Sequence, residues 1–200
     1  MAIHTHGLMS LHSNTVNENK RISEDRRAFS IMDIAQIGLM VAVIEASKFA
    51  LSSFPNIELT SFWLIMFTLF FGWKIVAVVP VFILLEGTVY GVHIWWIMYL
   101  YAWPLLVTIA WIFRKIDSAV FWAIVSGLFG LCFGALCSIP YFVIGASTGG
   151  FAAGIRTAVT WWAAGIPWDF VHCAGNFTLM LVLYKPIKYA FRRIGEAERQ

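Results

Sequence analysis

Asp169, His172 and Asn176 stand at i, i+3 and i+7 in the segment 161–191, WWAAGIPWDFVHCAGNFTLMLVLYKPIKYAF. On a helix, that spacing projects all three from one side. A carboxylate, an imidazole and a carboxamide on one face can grip a polar ligand or satisfy one another. The segment is otherwise apolar enough to lie in hydrocarbon. A polar stripe there is costly, so it should face a bundle interior or a watered cavity. The Trp-rich approach and the basic close at Lys185, Pro186, Lys188, Arg192 and Arg193 mark a membrane interface and a cytoplasmic stop.

Other apolar runs carry polar or aromatic groups at a similar depth. Glu45 and Lys48 are one turn apart, with the geometry for an ion pair. Glu86 lies inside an apolar run, with Tyr90 and His93 following at i+4 and i+7. Trp95, Trp96, Tyr99 and Trp103 climb through the next run. Convergence from four helices points to a ligand pocket. The expected lining is Glu86, Tyr90, Trp95, Tyr99, Trp103, Asp169, His172 and Asn176, and loss of Asn176 is expected to weaken binding. A polar network that only satisfies itself is the alternative.

The elements that must position these groups are set by composition. Of 200 residues, 60% are hydrophobic and 12% charged, where soluble domains have about a quarter charged. This excludes an ordinary soluble fold and predicts an all-α integral membrane protein. Apolar runs lie near 31–54, 59–72, 75–93, 95–113, 119–145 and 168–190. A full crossing needs roughly 20 apolar residues, so the second run is short. Charge decides whether 59–93 crosses once or twice. Two crossings place Lys20, Arg21, Arg26, Arg27, Lys74, Arg114, Lys115 and the five basic residues from Lys185 to Arg199 on one side, twelve of the fourteen Lys and Arg. The reading is therefore six transmembrane helices with both termini cytoplasmic. Residues 1–28 read as a disordered cytosolic tail with no cleavable signal peptide, 29–193 as the membrane domain, and 194–200 as a cytosolic tail.

The outer side would then carry loops around Pro55–Glu58 and Gly91–His93, and a long stretch 146–167. Gly145, Gly149, Gly150 and Gly154 with Trp161 and Trp162 suggest a lid there or an aromatic belt. Cys132, Cys137 and Cys173 lack metal or disulfide spacing. His4, His6 and His12 lie in the tail and read as part of a frayed terminus, so no metal site and no cofactor are expected. Gly38, Ala42, Ala46 and Ala50 recur every fourth residue, allowing another helix backbone to approach closely. That partner is either internal or a separate subunit docking at Ala42, Ala46 and Ala50. The motifs G-x-x-x-x-G-K-[ST], H-E-x-x-H and G-x-S-x-G are absent. Asp169 and His172 have no evident nucleophile beside them, so the chain is expected not to be an enzyme.

The alanine ladder, the short second span, the long fifth outer loop and the final span with Gly175-Asn176-Phe177 and Tyr184-Lys185-Pro186 resemble the S-components of energy-coupling factor (ECF) vitamin transporters, over about residues 30–195. The resemblance implies an S-component-like bundle in a prokaryotic plasma membrane. It also implies capture of a vitamin or vitamin-like compound from outside. The ladder would dock on a transmembrane T-component energised by two cytosolic ATPase subunits, and the subunit would topple to deliver its cargo. The nickel and cobalt members begin with a Met-His motif, whereas this chain begins Met1-Ala2. A ring-bearing polar substrate suits the aromatic and ionisable groups: a corrinoid, flavin, pteridine, pyridoxine or deazaguanine. The competing classes are a six-helix membrane scaffold and a small proton-coupled carrier using Glu45, Glu86 and Asp169.

Overall fold

The computed structural model describes residues 30–197; the expected tail at 1–28 and the last three residues lie outside them. Among the described residues the fold is helical without strands. The helices are α1 (Ile31–Ala50), α2 (Thr60–Phe71), α3 (Ile75–Tyr90), α4 (Ile94–Ile112), α5 (Ala119–Cys137) and α6 (Ile139–Ala197). Ser30 caps α1: its hydroxyl accepts from the Asp33 amide at 3.1 Å, while the Asp33 carboxylate accepts from the Ser30 amide at 3.0 Å. That reciprocal exchange satisfies donors a helix start would otherwise leave open.

Three stretches, Thr60–Tyr90, Ile94–Ile112 and Ala119–Glu196, are long and apolar enough to cross a membrane. Each contains or adjoins breaks that matter. Glu58, just before α2, and Glu86, late in α3, both act on Tyr99. Both therefore lie at one end of the bundle, and the chain reverses through the 3-10 turn Gly72–Lys74 between α2 and α3. At the other end, the rings of Phe67, Phe70 and Phe71 pack on Phe191 at 5.2–6.1 Å. Asp117, in the loop before α5, accepts from Tyr184 at 3.0 Å and pairs with Lys188. Lys74, Arg114, Lys115 and the basic run from Lys185 thus gather at the end away from Glu58 and Glu86.

Helix α2 is the spine. Eight of its twelve residues are buried, from Thr60 through Thr68 apart from Trp63. The outer helices bury one face only. α1 turns Ile37, Met40, Val41 and Ile44 inward, while Gly38, Ala42, Ala46 and Ala50 are exposed. The ladder is therefore not an internal packing seam. Leu39, Val76, Leu84, Val89 and Leu100 are among many exposed apolar side chains, an outside suited to hydrocarbon.

The expected outer loop at 146–167 is corrected: it is helix. α6 runs on to Ala197, four residues into the expected C-terminal tail, and is interrupted only at Gly149 and Gly150. Gly150 has φ +75, a conformation that costs other residues a Cβ clash, and there the chain folds back. A Cβ on Gly154 would sit 2.8 Å from the Phe142 carbonyl oxygen, so the arms touch backbone to backbone. Tyr141 then stacks on Trp161 at 4.5 Å. The glycines that suggested a loop instead form the apex and seam of a helical hairpin. The second arm, 151–197, is roughly 70 Å long at 1.5 Å per residue, more than twice the hydrocarbon thickness of about 30 Å.

Candidate functional site

The final helix is brought to the site by α5. Gly127, Gly130 and Gly134 form a bare strip on α5. A Cβ at Gly130 would meet the His172 carbonyl carbon and oxygen at 2.9 Å, and one at Gly134 would meet the Asp169 carboxylate. Only hydrogen fits, so the α6 backbone lies directly on α5. The close approach lets the Gly134 amide donate to Asp169 Oδ1 at 2.9 Å. Sequence reasoning missed this strip, although its spacing of three and four was the signal.

Asp169, His172 and Asn176 do share one buried face of α6, with exposures of 6%, 4% and 2%, but they serve different ends. Asn176 lines neither chamber described below. Its Nδ2 donates to Ser61 Oγ at 3.2 Å and to the Ser126 carbonyl at 3.3 Å, joining α6 to α2 and α5. His172 packs edge-on against Phe133 at 5.0 Å. Its Nε2 is 3.5 Å from Glu58 Oε1, at the outer limit of hydrogen-bonding distance. Burial pushes the Glu58 carboxyl up, but His172, Lys48 and the Thr60 hydroxyl, at 3.1 Å, outweigh it and hold the carboxyl below its usual range. Asp169 Oδ2 has no hydrogen bond of good geometry, although the Trp162 indole acts on this carboxylate.

Two chambers adjoin these groups and share Pro55, Asn56, Tyr99 and Phe133. The larger, about 690 Å³, is walled by Trp95, Tyr99, Phe133, Tyr141, Trp161 and Trp168, with Asp169 and His93. The smaller, about 250 Å³, holds Lys48, Glu58 and His172 beneath the 51–58 loop. Asn56, at φ +57, supplies the turn that lays this loop against both; Asn tolerates that backbone better than most residues.

The other expected lining residues stand one step back. Glu86, 1% exposed, pairs with Lys48. The Lys48 ammonium also lies 5.3, 5.5 and 5.7 Å from the ring centres of Phe82, Tyr90 and Tyr99, and the Tyr90 ring is half exposed. The Glu45–Lys48 pair expected from spacing gives way to this one, because Glu86 on α3 reaches the ammonium and leaves Glu45 Oε1 buried without a partner. Trp103 is wholly buried, braced on Tyr99 at 5.2 Å and Phe133 at 5.5 Å, and supports the wall instead of lining it. Of the eight expected residues, Trp95, Tyr99, Asp169 and His172 border a chamber. Lys48 from α1 and Phe133 from α5 join them, as do Asn56 and Glu58 from the loop and Tyr141, Trp161 and Trp168 from the hairpin.

Among the described residues no group of three or more His, Cys, Asp or Glu is placed to hold a metal ion. The chambers offer enclosure, stacking surfaces and a few fixed polar groups, the ingredients of small-molecule binding. No known family model, curated protein or solved structure matches this chain, so its own geometry carries the functional reading.

Proposed function

We propose that the chain is the substrate-capturing membrane subunit, or S-component, of an ECF-type importer, crossing a prokaryotic plasma membrane six times with both termini cytoplasmic. It takes a ring-bearing vitamin or vitamin-like compound from the outer side. It then passes that compound inward while docked on a transmembrane T-component that two cytosolic ATPases energise. The observation that carries this reading is the larger chamber: a cavity of about 690 Å³, aromatic on most sides, with a buried carboxylate oxygen that has no settled partner. A scaffold gains nothing from a buried polar atom left open, which costs ~1–3 kcal/mol. The basic end of the bundle lies away from the chambers, which supports an outward-facing site under the positive-inside rule. The exposed ladder on α1 offers the face a T-component would meet.

The test is copurification. The tagged chain, expressed with its native partners in mild detergent, is expected to retain a T-component, two ATPases and a small molecule detectable by mass spectrometry. A chain that purifies alone and empty would end the proposal. The carboxylates Glu45 and Glu86, close enough to act on one another, favour a proton-coupled carrier as the second reading. Uptake that follows a proton gradient without ATPases would establish it.

A further inference from the structure

Resting on the capture reading, we propose that the larger chamber takes an organic cation: a flat ring compound with an ammonium or a fixed ring charge, held by Asp169 and the aromatic wall. The smaller chamber supplies the precedent. There the chain provides its own cation, with the Lys48 ammonium surrounded by Phe82, Tyr90 and Tyr99 at 5.3–5.7 Å and neutralised by Glu86. This is the arrangement in which aromatic faces attract a cation, most strongly once water is excluded.

The larger chamber repeats the parts without the cation. Asp169 is 6% exposed and is fixed through Oδ1 by the Gly134 amide, while its Oδ2, with the Trp162 indole near the carboxylate, makes no well-formed hydrogen bond. Trp95, Tyr99, Tyr141, Trp161 and Trp168 line the same chamber, and no Lys or Arg among the described residues lines it. Arg156 belongs to a neighbouring hollow that shares only Tyr141 and Trp161. His93, the one side chain on the wall able to carry a positive charge among the described residues, is exposed. The wider charge balance has the same sign. Among the described residues Lys48 is the one Lys or Arg lining either chamber, against the carboxylates of Glu58 and Asp169 on the walls and of Glu45 and Glu86 behind them. Buried charge without a partner is expensive, and a cationic ligand removes that cost where a neutral or anionic one does not.

The probes are 1-methylnicotinamide, a flat cation, and 3-methylbenzamide, its uncharged isostere, titrated calorimetrically into the full chain in mild detergent. The cation is expected to bind at least about tenfold more tightly. Asp169→Asn keeps an oxygen for the Gly134 amide, so it should abolish the preference without altering affinity for the amide. Trp95→Leu, which leaves the carboxylate in place, should weaken the cation more than its isostere. Equal affinities, tighter binding of the neutral probe, or binding of neither would overturn the assignment. So would a neutral or anionic compound carried through purification by the native chain, which would leave the capture reading standing. A chain that carries nothing counts against capture itself.

Discussion

Along α1, Gly38, Ala42, Ala46 and Ala50 lie exposed, and a Cβ on Gly38 would meet nothing within 4 Å. Along α5, Gly127, Gly130 and Gly134 are covered by the backbone and side chains of α6. Both strips have the spacing that permits two helices to touch. Spacing states that a close approach is allowed, but not which helix makes it. The helix opposite α5 is in the same chain and bears Asp169, His172 and Asn176, so the strip on α5 builds the site. The strip on α1 has no described neighbour, and on the proposed reading its neighbour is another subunit.

The largest effect expected from breaking this contrast is on the buried strip. Gly130→Leu would push side chain into the His172 carbonyl, which is backbone and cannot yield. A destabilisation of about 3 kcal/mol or more is expected, seen as loss of the monodisperse folded peak and of the thermal transition in detergent. A folded variant with an unchanged midpoint would mean the two helices do not touch there. Ala46→Trp should separate the strips from the other side. The isolated chain keeps its fold and bound compound, while uptake in the presence of the partners falls to background. Unfolding of that variant would place the α1 strip inside the bundle.

Asn176→Ala sharpens the comparison by testing whether the buried seam is polar as well as tight. It removes the donor to Ser61 and Ser126, so stability should fall by ~1–3 kcal/mol, with affinity changing less than in Asp169→Asn. Loss of affinity at full stability would move Asn176 onto a chamber wall. The smallest effect lies at the far end of the same seam. Hydrogen bonds from Lys188 and Tyr184 hold the Asp117 carboxyl below the usual carboxylate range. A depressed carboxylate stabilises above its unfolded pKa and loses that contribution as pH falls through its folded one. Asp117→Asn should therefore cost no more than about 1 kcal/mol at neutral pH, since Asp117 is largely exposed. The cost should shrink below about pH 4. A cost that persists in acid would mean the pairing is steric.

The helix-bearing runs, the turn at Gly72–Lys74 and the shared polar face of α6 were legible because periodicity and charge are local or one-dimensional signals. The hairpin was not. Gly145, Gly149, Gly150 and Gly154 are the same letters in a loop and in a seam, and only the stacking of Tyr141 on Trp161 separates the two cases. Site membership was legible only in part. Asp169 and Asn176 differ by two helical turns and in nothing the spacing reveals. Yet one meets a cavity and the other meets Ser61, because α2 fills the space beside Asn176 and ends before it reaches Asp169. Glu58 and Asn56 were hidden for the opposite reason: a loop carries no period, so nothing in the sequence says which way it folds.

The Trp residues are sorted by the same architecture. Trp103 and Trp122 are wholly buried and keep constant surroundings, while Trp95, Trp161 and Trp168 stand on the wall of the larger chamber. Indole emission responds to what lies against the ring, so the first pair gives a steady background and the other three a signal that changes on occupancy. The unlabelled protein therefore carries its own optical gauge of filling. The Trp95→Leu chain is its calibration, since that substitution should remove part of the ligand-dependent change and none of the background.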